Sequence, residues 1–475
     1  MSLYLSPLGH IPNVDLGEDT GLFRDLMNIW RKRQAVNYRR SVYYDGEQAL
    51  KDFGISLPPQ MRGIRAALGW STKGVHALTD RSLFQGFVSS TGEADPFGVS
   101  QIMAENRFAV EFPAAQVSSA VHGCSFLAVS RGDVQAGEPA VQIIGCPAER
   151  SAGIWSERKR ALTGFVSVVD TDKDGRATDI VVYSPSALWL ITRDGEKWSV
   201  DRRHNPYGRV TVAPVVHGYD LRRPLGHSRI TRASMYAVDA AMRTIVRSEV
   251  SAEFYSAPEY WLFGADVSQF QGGDRWSAVM GRIKALEFDP DNGDPEPKLH
   301  RFTGASPQPH TDQLRMWANL FADDQDLDVK FADSSNPSSA DAIFAAKETL
   351  ITATVRANKL WAEGAQQAMG FAVMIRDGLD TLPNEFYRVS ADFMNPSIVS
   401  PSGRADAYSK IAASDPQFAT SRVGRQYAGL SGQQIDQLEA ETRRAGVRSL
   451  VARAAQDEVV VEQAQEVAAA RVAGE

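Results

Sequence analysis

Between Pro224 and Ile375 the chain reads as a helix, a short β-rich insertion, a second helix, an acidic loop and a third, very long helix. That order constrains the fold more than any single motif. Helical spacing runs from Ser228 to about residue 255 and is stopped by Pro258, which can neither donate a helical hydrogen bond nor fit inside a helix. Strands are expected at 259–264 and 282–288, and helical spacing resumes at Thr311 with Leu314, Trp317, Leu320 and Phe321 on one side. The insertion is too small to be an independent enzyme domain, so two long helices are left in need of partners.

The first of these helices carries Ala233, Ala237, Ala240, Ala241, Thr244, Ser248 and Ala252 along one face. Small residues let helices approach closely. Ala233, Ala237, Ala241, Thr244 and Ser248 are therefore candidates for packing against copies of the same helix, with packing inside the same chain as the equal alternative. The acidic loop sets Asp323, Asp324, Asp326, Asp328 and Asp333 against a single Lys330 and ends near Asn336. Ser338 with Asp341 then forms a capping box ahead of the long helix. In that helix Ile343, Leu350, Ala357, Gly364 and Phe371 recur every seven residues, a seam expected to face another long helix.

The remainder is a mixed α+β unit followed by a helical end. Leu22, Leu26, Ile29 and Trp30 predict an amphipathic helix over 20 to about 50, whose other face carries Arg24, Arg31, Lys32 and Arg33. A second helix is expected from 69 to 87, with Val75, Leu78, Leu83 and Phe84 inward. Short apolar runs at 126–129, 141–144, 165–169, 180–183 and 188–191 predict a β meander. A strand is expected at 386–393, and from residue 402 onward the pattern is helical, with Ser431 and Gln434 as a capping box.

Composition excludes several functions. With 43% hydrophobic and 23% charged residues the chain is of ordinary globular type. A net charge of −7 argues against gripping nucleic acid through phosphate neutralisation. Cys124 and Cys146 stand in no metal-ligand spacing and make no disulfide framework, which fits a reducing compartment. The start lacks a signal-peptide pattern, and no apolar run approaches the roughly 18 residues of a membrane span.

No motif marks a catalytic centre. Asp170, Asp172, Asp174 and Gly175 match the first half of an EF-hand loop, but Val181 stands where the bidentate glutamate belongs. The flanks read as strands, so a polar hairpin turn is the preferred reading over a calcium site. His122 and Cys124, two apart, are expected on one face of a strand with no third group to orient the histidine, which favours a structural cysteine. No metal, cofactor or catalytic residue is expected.

Several segments together resemble phage portal proteins, especially those of long-tailed phages of actinobacterial hosts. These are Tyr43-Tyr44-Asp45-Gly46, the run from Asp80 that ends in Gly86-Phe87, and Pro224-Leu225-Gly226-His227-Ser228-Arg229-Ile230. Ser256-Ala257-Pro258 leading into Leu262-Phe263-Gly264 also fits, and Ser338-Ser339-Ala340-Asp341-Ala342-Ile343 is the most telling.

The resemblance implies an α+β portal-type subunit: a wing over 1–225, a stem helix over 226–257, a clip over 258–305 and a second stem helix over 306–322. A tunnel loop over 323–337, a long wing helix and strand over 338–400, and a helical crown and tail over 401–475 complete it. It further implies a homo-oligomeric ring, usually of twelve subunits, at one vertex of the virion, assembled in the host cytoplasm. Double-stranded DNA would pass through the ring without sequence-specific binding, and no membrane is involved. Major capsid and scaffold proteins, the terminase large subunit and a head-tail adaptor are the implied partners. Trp261, Phe263, Trp276, Asp291 and Glu296 would serve docking at the clip, and Asp326, Asp328, Lys330, Asp333 and Asn336 would line the tunnel. The alternatives are another virion structural protein, such as a minor capsid or scaffold protein, or a calcium-binding module.

Overall fold

The computed structural model describes residues 14–50, 66–93, 95–255, 259–263, 283–286, 298–302, 306–327, 340–397, 401–430, 432 and 434–449. For 253–255, the three short stretches between 259 and 302, 340–346 and 401, only the backbone is described.

The N-terminal half joins helices and antiparallel sheet. Helix α1 (Thr20–Tyr44) lays Phe23, Leu26, Met27 and Trp30 on a five-stranded meander. That sheet runs β4 (Ser151–Ser156), β5 (Ala161–Thr171), β6 (Ala177–Tyr183), β7 (Ala187–Asp194) and β8 (Lys197–His204), paired in sequence order. Asp19, just before α1, accepts hydrogen bonds from Trp189 Nε1 at 2.9 Å and Ser184 Oγ at 2.6 Å, which ties the helix start to the sheet. The other side of the meander packs on a three-stranded sheet through Phe126, Phe165 and Tyr183. In that sheet β2 (Cys124–Arg131) lies between β3 (Val141–Pro147) and β9 (Val212–Val216).

The expected apolar runs are all strands; β4, β8 and β9 were not expected, although β9 is itself a fully buried apolar run, interrupted by Pro214. β8 exposes nearly every side chain, so neither face of it requires alternation. The helix expected over 69–87 is shorter: α2 spans Trp70–Thr79, and Phe84–Ser89 forms strand β1. β1 pairs antiparallel with β13 (Val389–Phe393), some three hundred residues away in sequence. Phe84 contacts the rings of Phe87, Phe108, Phe112 and Phe393, a cluster whose edge-on contacts stabilise this distant pairing. Leu83, expected inward, is half exposed.

Helices α3 (Val99–Glu105) and α4 (Phe108–His122) follow β1. α4 ends at Gly123, whose φ of +106° permits the turn into β2. His122 therefore closes a helix and Cys124 opens a strand, which corrects the expectation of a shared strand face.

Helix α5 (Arg232–Tyr255) and α6 (Gln308–Asp324) pack side by side and antiparallel. Thr231 Oγ1 meets Asp324 Oδ2 at 2.7 Å at one end, and Tyr236 and Trp317 meet edge to face further along. Between the two helices in sequence lies a three-stranded sheet with β10 (Glu259–Phe263) central, parallel to β11 (Ile283–Leu286) and antiparallel to β12 (Lys298–Phe302). The inward side of α6 is Ala318, Phe321 and Ala322, whereas Leu320 is half exposed. The cap of α5 is also corrected: Thr231 Oγ1 accepts the Ser234 N–H at 3.0 Å. Ser228, the expected cap, instead donates to the carbonyl of Val121.

The long helix α7 spans Ala340–Asp377. Its buried face is Leu350, Thr354, Ala357, Trp361, Ala365, Ala368, Ala372 and Ile375, closer to a 3.6-residue period than to a heptad. Among the described residues its main partners are strands and not another long helix. α7 crosses β9 and β2 and flanks β13, and a Cβ on Gly364 would fall 2.6 Å from the carbonyl oxygen of Pro214 in β9. Trp361, fully buried, donates from Nε1 to Ser119 Oγ at 2.8 Å. Short helices α8 (Pro401–Ser414), α9 (Pro416–Thr420) and α10 (Arg422–Tyr427) follow, then helix over 434–449 in which Ile435 is buried. Ser431 lies outside the described residues.

Candidate functional site

The two antiparallel helices are rooted in the α+β body through one buried cation. Arg229 precedes α5 and its side chain is only 7% exposed. Its Nε donates to the carbonyl oxygen of Gly74 in α2 at 2.8 Å, and its Nη2 donates to the carbonyl of Gln325, just past α6. Its Nη1 lies 3.8 Å from the carboxylate of Asp326. Gln325 answers by donating from Nε2 to the carbonyl oxygen of Arg229 at 2.9 Å and to Asp324 Oδ2 at 2.7 Å. Burial depresses the Arg229 guanidinium from its ordinary value, opposed by the negative charges of Asp326 and Asp324. An arginine so far from water is tolerable only because its donors are matched.

This root requires close approach. A Cβ on Gly74 would sit 2.7 Å from Gln325 Oε1, so glycine lets the end of α6 lie against α2. Asp326 adopts φ +51°, in the left-handed region that non-glycine residues enter rarely. The chain thus turns sharply as it leaves α6, held by the ion pair to Arg229.

The loop candidates divide accordingly. Asp323 and Asp324 belong to α6 and not to a loop, and Asp324 is committed to Thr231 and Gln325. Asp326 is paired with Arg229 and is less than half exposed. Asp328, Lys330, Asp333 and Asn336 lie outside the described residues, as do Ser338 and Ser339. Of the insertion residues, Trp261 and Phe263 lie on β10, the central strand; Trp276, Asp291 and Glu296 lie outside the described residues.

The small-residue face of α5 is used largely within the chain. Ala237, Ala241 and Thr244 are buried, and Thr244 Oγ1 donates to the carbonyl oxygen of Ala240 at 2.9 Å. These three pack within the chain, against α6 and the α+β body. Ala233 is exposed and Ser248 half-buried.

The other sequence motifs resolve into structure. Asp172 Oδ1 accepts the N–H groups of Asp174 at 3.0 Å and Arg176 at 2.8 Å, and Gly175 turns at φ +76°. Arg193 lies 3.6 Å from the same carboxylate. This is the expected polar hairpin between β5 and β6, with its central acid spent on turn amides. Among the described residues no group of three or more His, Cys, Asp or Glu side chains is placed to hold a metal ion, and no helix is long and apolar enough to cross a membrane.

His122 gathers neighbours that spacing did not reveal. Its Nε2 lies 3.0 Å from Ser41 Oγ, and Ser41 in turn donates to Glu149. The geometry is not that of a nucleophile relay: His122 Nδ1 is taken by the carbonyl oxygen of Ser118 at 3.1 Å, so no carboxylate orients the imidazole from its far side. Burial pushes the Cys124 thiol up to about 12, despite Arg40 and Arg33 nearby, so it holds its proton and is a poor nucleophile.

Sequence reading missed Arg229 and its partners because a buried arginine has no local signature. Its only visible trace was membership in the segment from Pro224 to Ile230.

Residues 35–446 match the family described as "Phage portal protein, SPP1 Gp6-like". The portal proteins of Mycobacterium phage D29 and Mycobacterium phage L5 are each 26% identical to this chain, over 418 and 416 residues, covering 84% of this chain and 84% of each relative. Among solved structures, a chain from the neck of a native GTA particle, computed with C12 symmetry, matches 76% of this chain and 89% of its own length. The identity is 11% and the TM-score 0.40. A chain from the neck of an empty GTA particle, computed with C6 symmetry, matches 76% and 90% at 12% identity and TM-score 0.40. With a family match that spans most of its length, the chain belongs to the phage portal protein family.

Proposed function

We propose that this portal-family chain is a head-to-tail connector subunit that closes into a ring of twelve at one vertex of the capsid and passes double-stranded DNA inward during packaging and outward at ejection. The observation that carries this reading, beside the family match, is the rooted pair α5–α6 with its small sheet. Two antiparallel helices leave the α+β body and return to it at one buried point, the Arg229 cluster. Such a hairpin holds the sheet of β10, β11 and β12 as the part that meets partners, in packaging the terminase large subunit and afterwards a head-tail adaptor. Trp261 and Phe263 on β10, with Trp276, Asp291 and Glu296, are the proposed docking residues. Ala233 and Ser248 are the α5 positions proposed to meet a neighbouring subunit. Major capsid and scaffold proteins are the proposed partners of the body, and assembly takes place in the host cytoplasm.

The segment beyond Asp326 is proposed to line the tunnel. Carboxylates facing a phosphate backbone repel it, which centres DNA without gripping it and suits a duplex that must slide. Since Asp326 is paired with Arg229, the repulsive charge rests mainly on Asp328 and Asp333, with Lys330 making brief phosphate contacts and Asn336 at the exit. Electron microscopy of the purified chain, with scaffold and capsid protein supplied, tests the ring: closed rings with a central hole are expected, and open or irregular assemblies alone would refute it. Phage carrying Asp328→Asn together with Asp333→Asn should package or retain DNA less well. Unchanged packaging and retention would remove the electrostatic part.

A further inference from the structure

A cavity of about 490 Å³ lies between α1, β4 and the turn that leads to α5, and its charge is of one sign. Arg33 and Arg40 enter it from α1, and Arg222 and Arg223 from the turn, with Trp30 and Trp155 as aromatic walls. His122 and His227 also line it, and among the described residues no aspartate or glutamate does. Among the described residues none of the four arginines makes an ion pair within 4.0 Å. Two acids stand at its edge: Glu149 accepts from Ser41 and lies 3.9 Å from His122 Nε2, and Asp220 accepts the backbone N–H of Arg222 at 2.7 Å.

The walls are built, not incidental. Trp30 Nε1 donates to the carbonyl oxygen of Glu149 at 2.8 Å and Asn37 Nδ2 to that of Ala148 at 2.9 Å, fixing α1 beside β4. The turn is fixed by His217 N–H to the carbonyl oxygen of Gly123 at 2.9 Å, and by Gly226 N–H to that of Arg223 at 2.8 Å. It also lies too close for a side chain: a Cβ on Gly226 would fall 2.1 Å from the carbonyl oxygen of His217. Arg40 Nη1 is held on the carbonyl oxygen of His122, leaving its remaining N–H groups for the cavity. Arg33, Arg222 and Arg223 are exposed at the mouth of the cavity, and Arg33 and Arg223 help depress the Arg40 guanidinium, after burial itself.

We propose that this cavity binds a small multivalent phosphate anion, two or more linked phosphates, which the four guanidiniums clamp between α1 and the turn preceding α5. Planar guanidinium forks match phosphate oxygens in pairs. The volume, equal to a sphere roughly 10 Å across, admits a diphosphate or triphosphate. The bound anion would join the wall of the body to the segment that roots α5, so occupancy would stiffen the base of the helical pair.

Calorimetry of the full chain with pyrophosphate tests this, with sulfate and a hexaglutamate peptide as comparison titrants. Pyrophosphate should bind with one site per chain, more tightly than sulfate, and should raise the melting temperature. The exposed pair Arg33→Ala with Arg223→Ala should weaken it about tenfold or more, as expected for lost charge-assisted hydrogen bonds. Arg24→Ala with Lys32→Ala, on α1 outside the cavity, should leave it unchanged. No binding at millimolar pyrophosphate in low salt, or equal loss in both double variants, would overturn the proposal. Arginine-dependent binding of hexaglutamate tighter than that of pyrophosphate would also overturn it, in favour of an acidic protein segment.

Discussion

Arg229 reaches across 155 positions of sequence to donate from Nε to the backbone carbonyl oxygen of Gly74 at 2.8 Å. The same side chain holds Gln325 and Asp326, so the start of α5, the end of α6 and helix α2 share one buried cation.

Arg229→Met should therefore destabilise the chain by about 2–4 kcal/mol, because two buried carbonyl groups lose their donor and Asp326 its partner. Chemical denaturation checks this. Arg229→Lys should recover only part of the loss, since one ammonium cannot span Gly74, Gln325 and Asp326.

Gly74→Ala should cost about 1–3 kcal/mol by overpacking, as its Cβ meets Gln325 Oε1 at 2.7 Å while that side chain is committed to Arg229 and Asp324. Gly21→Ala, with open space around its Cβ in α1, should instead gain up to about 1 kcal/mol. Melting curves of the two variants, compared with the parent, should shift in opposite directions.

Stability should fall on acidification through the range set by His217. Burial holds its imidazole at about 4, below the ordinary 6.5, so the unfolded chain takes up the proton first. Above the unfolded value neither state carries that proton and His217 has no effect. As pH drops from about 6.5 to about 4 the folded state loses ground, and below that the penalty is complete. His122, also depressed by burial although Glu149 opposes it, acts in the same sense. His217→Asn, which keeps a donor for the carbonyl oxygen of His227, should flatten the melting temperature between pH 7 and pH 4.5 relative to the parent. A parallel decline in both proteins would exclude His217 as a cause.

Asp172→Ala should cost about 1 kcal/mol, because the amides of Asp174 and Arg176 lose their acceptor. The cost should be the same with and without millimolar calcium. A calcium-dependent melting temperature in the parent that vanishes in the variant would revive the metal reading of the Asp170–Gly175 turn.

Local patterns were legible where burial is strong. Leu22, Leu26, Ile29 and Trp30 mark α1 because burial on one side imposes periodicity, whereas β2 and β5 show as continuous apolar runs because both of their faces are buried. β8 escaped notice since it has almost no buried face, and β1 since its partner lies at the far end of the chain. The small residues of α5 suit close packing, but identity of the partner is not a local property. Ala237, Ala241 and Thr244 turned out to face inward.

By itself the sequence determined that two long helices flank a small β insertion, that an acidic stretch follows, and that a helix of about ten turns comes after it. Chain-local forces suffice for that: proline stops, side-chain period and turn chemistry. The tertiary structure alone decided that Asp326 pairs with Arg229, that the long helix lies on a sheet through Gly364 and Trp361, and that four arginines share a cavity. These depend on which distant surfaces meet, and a guanidinium or a glycine carries no sign of its partner until the chain has closed around it.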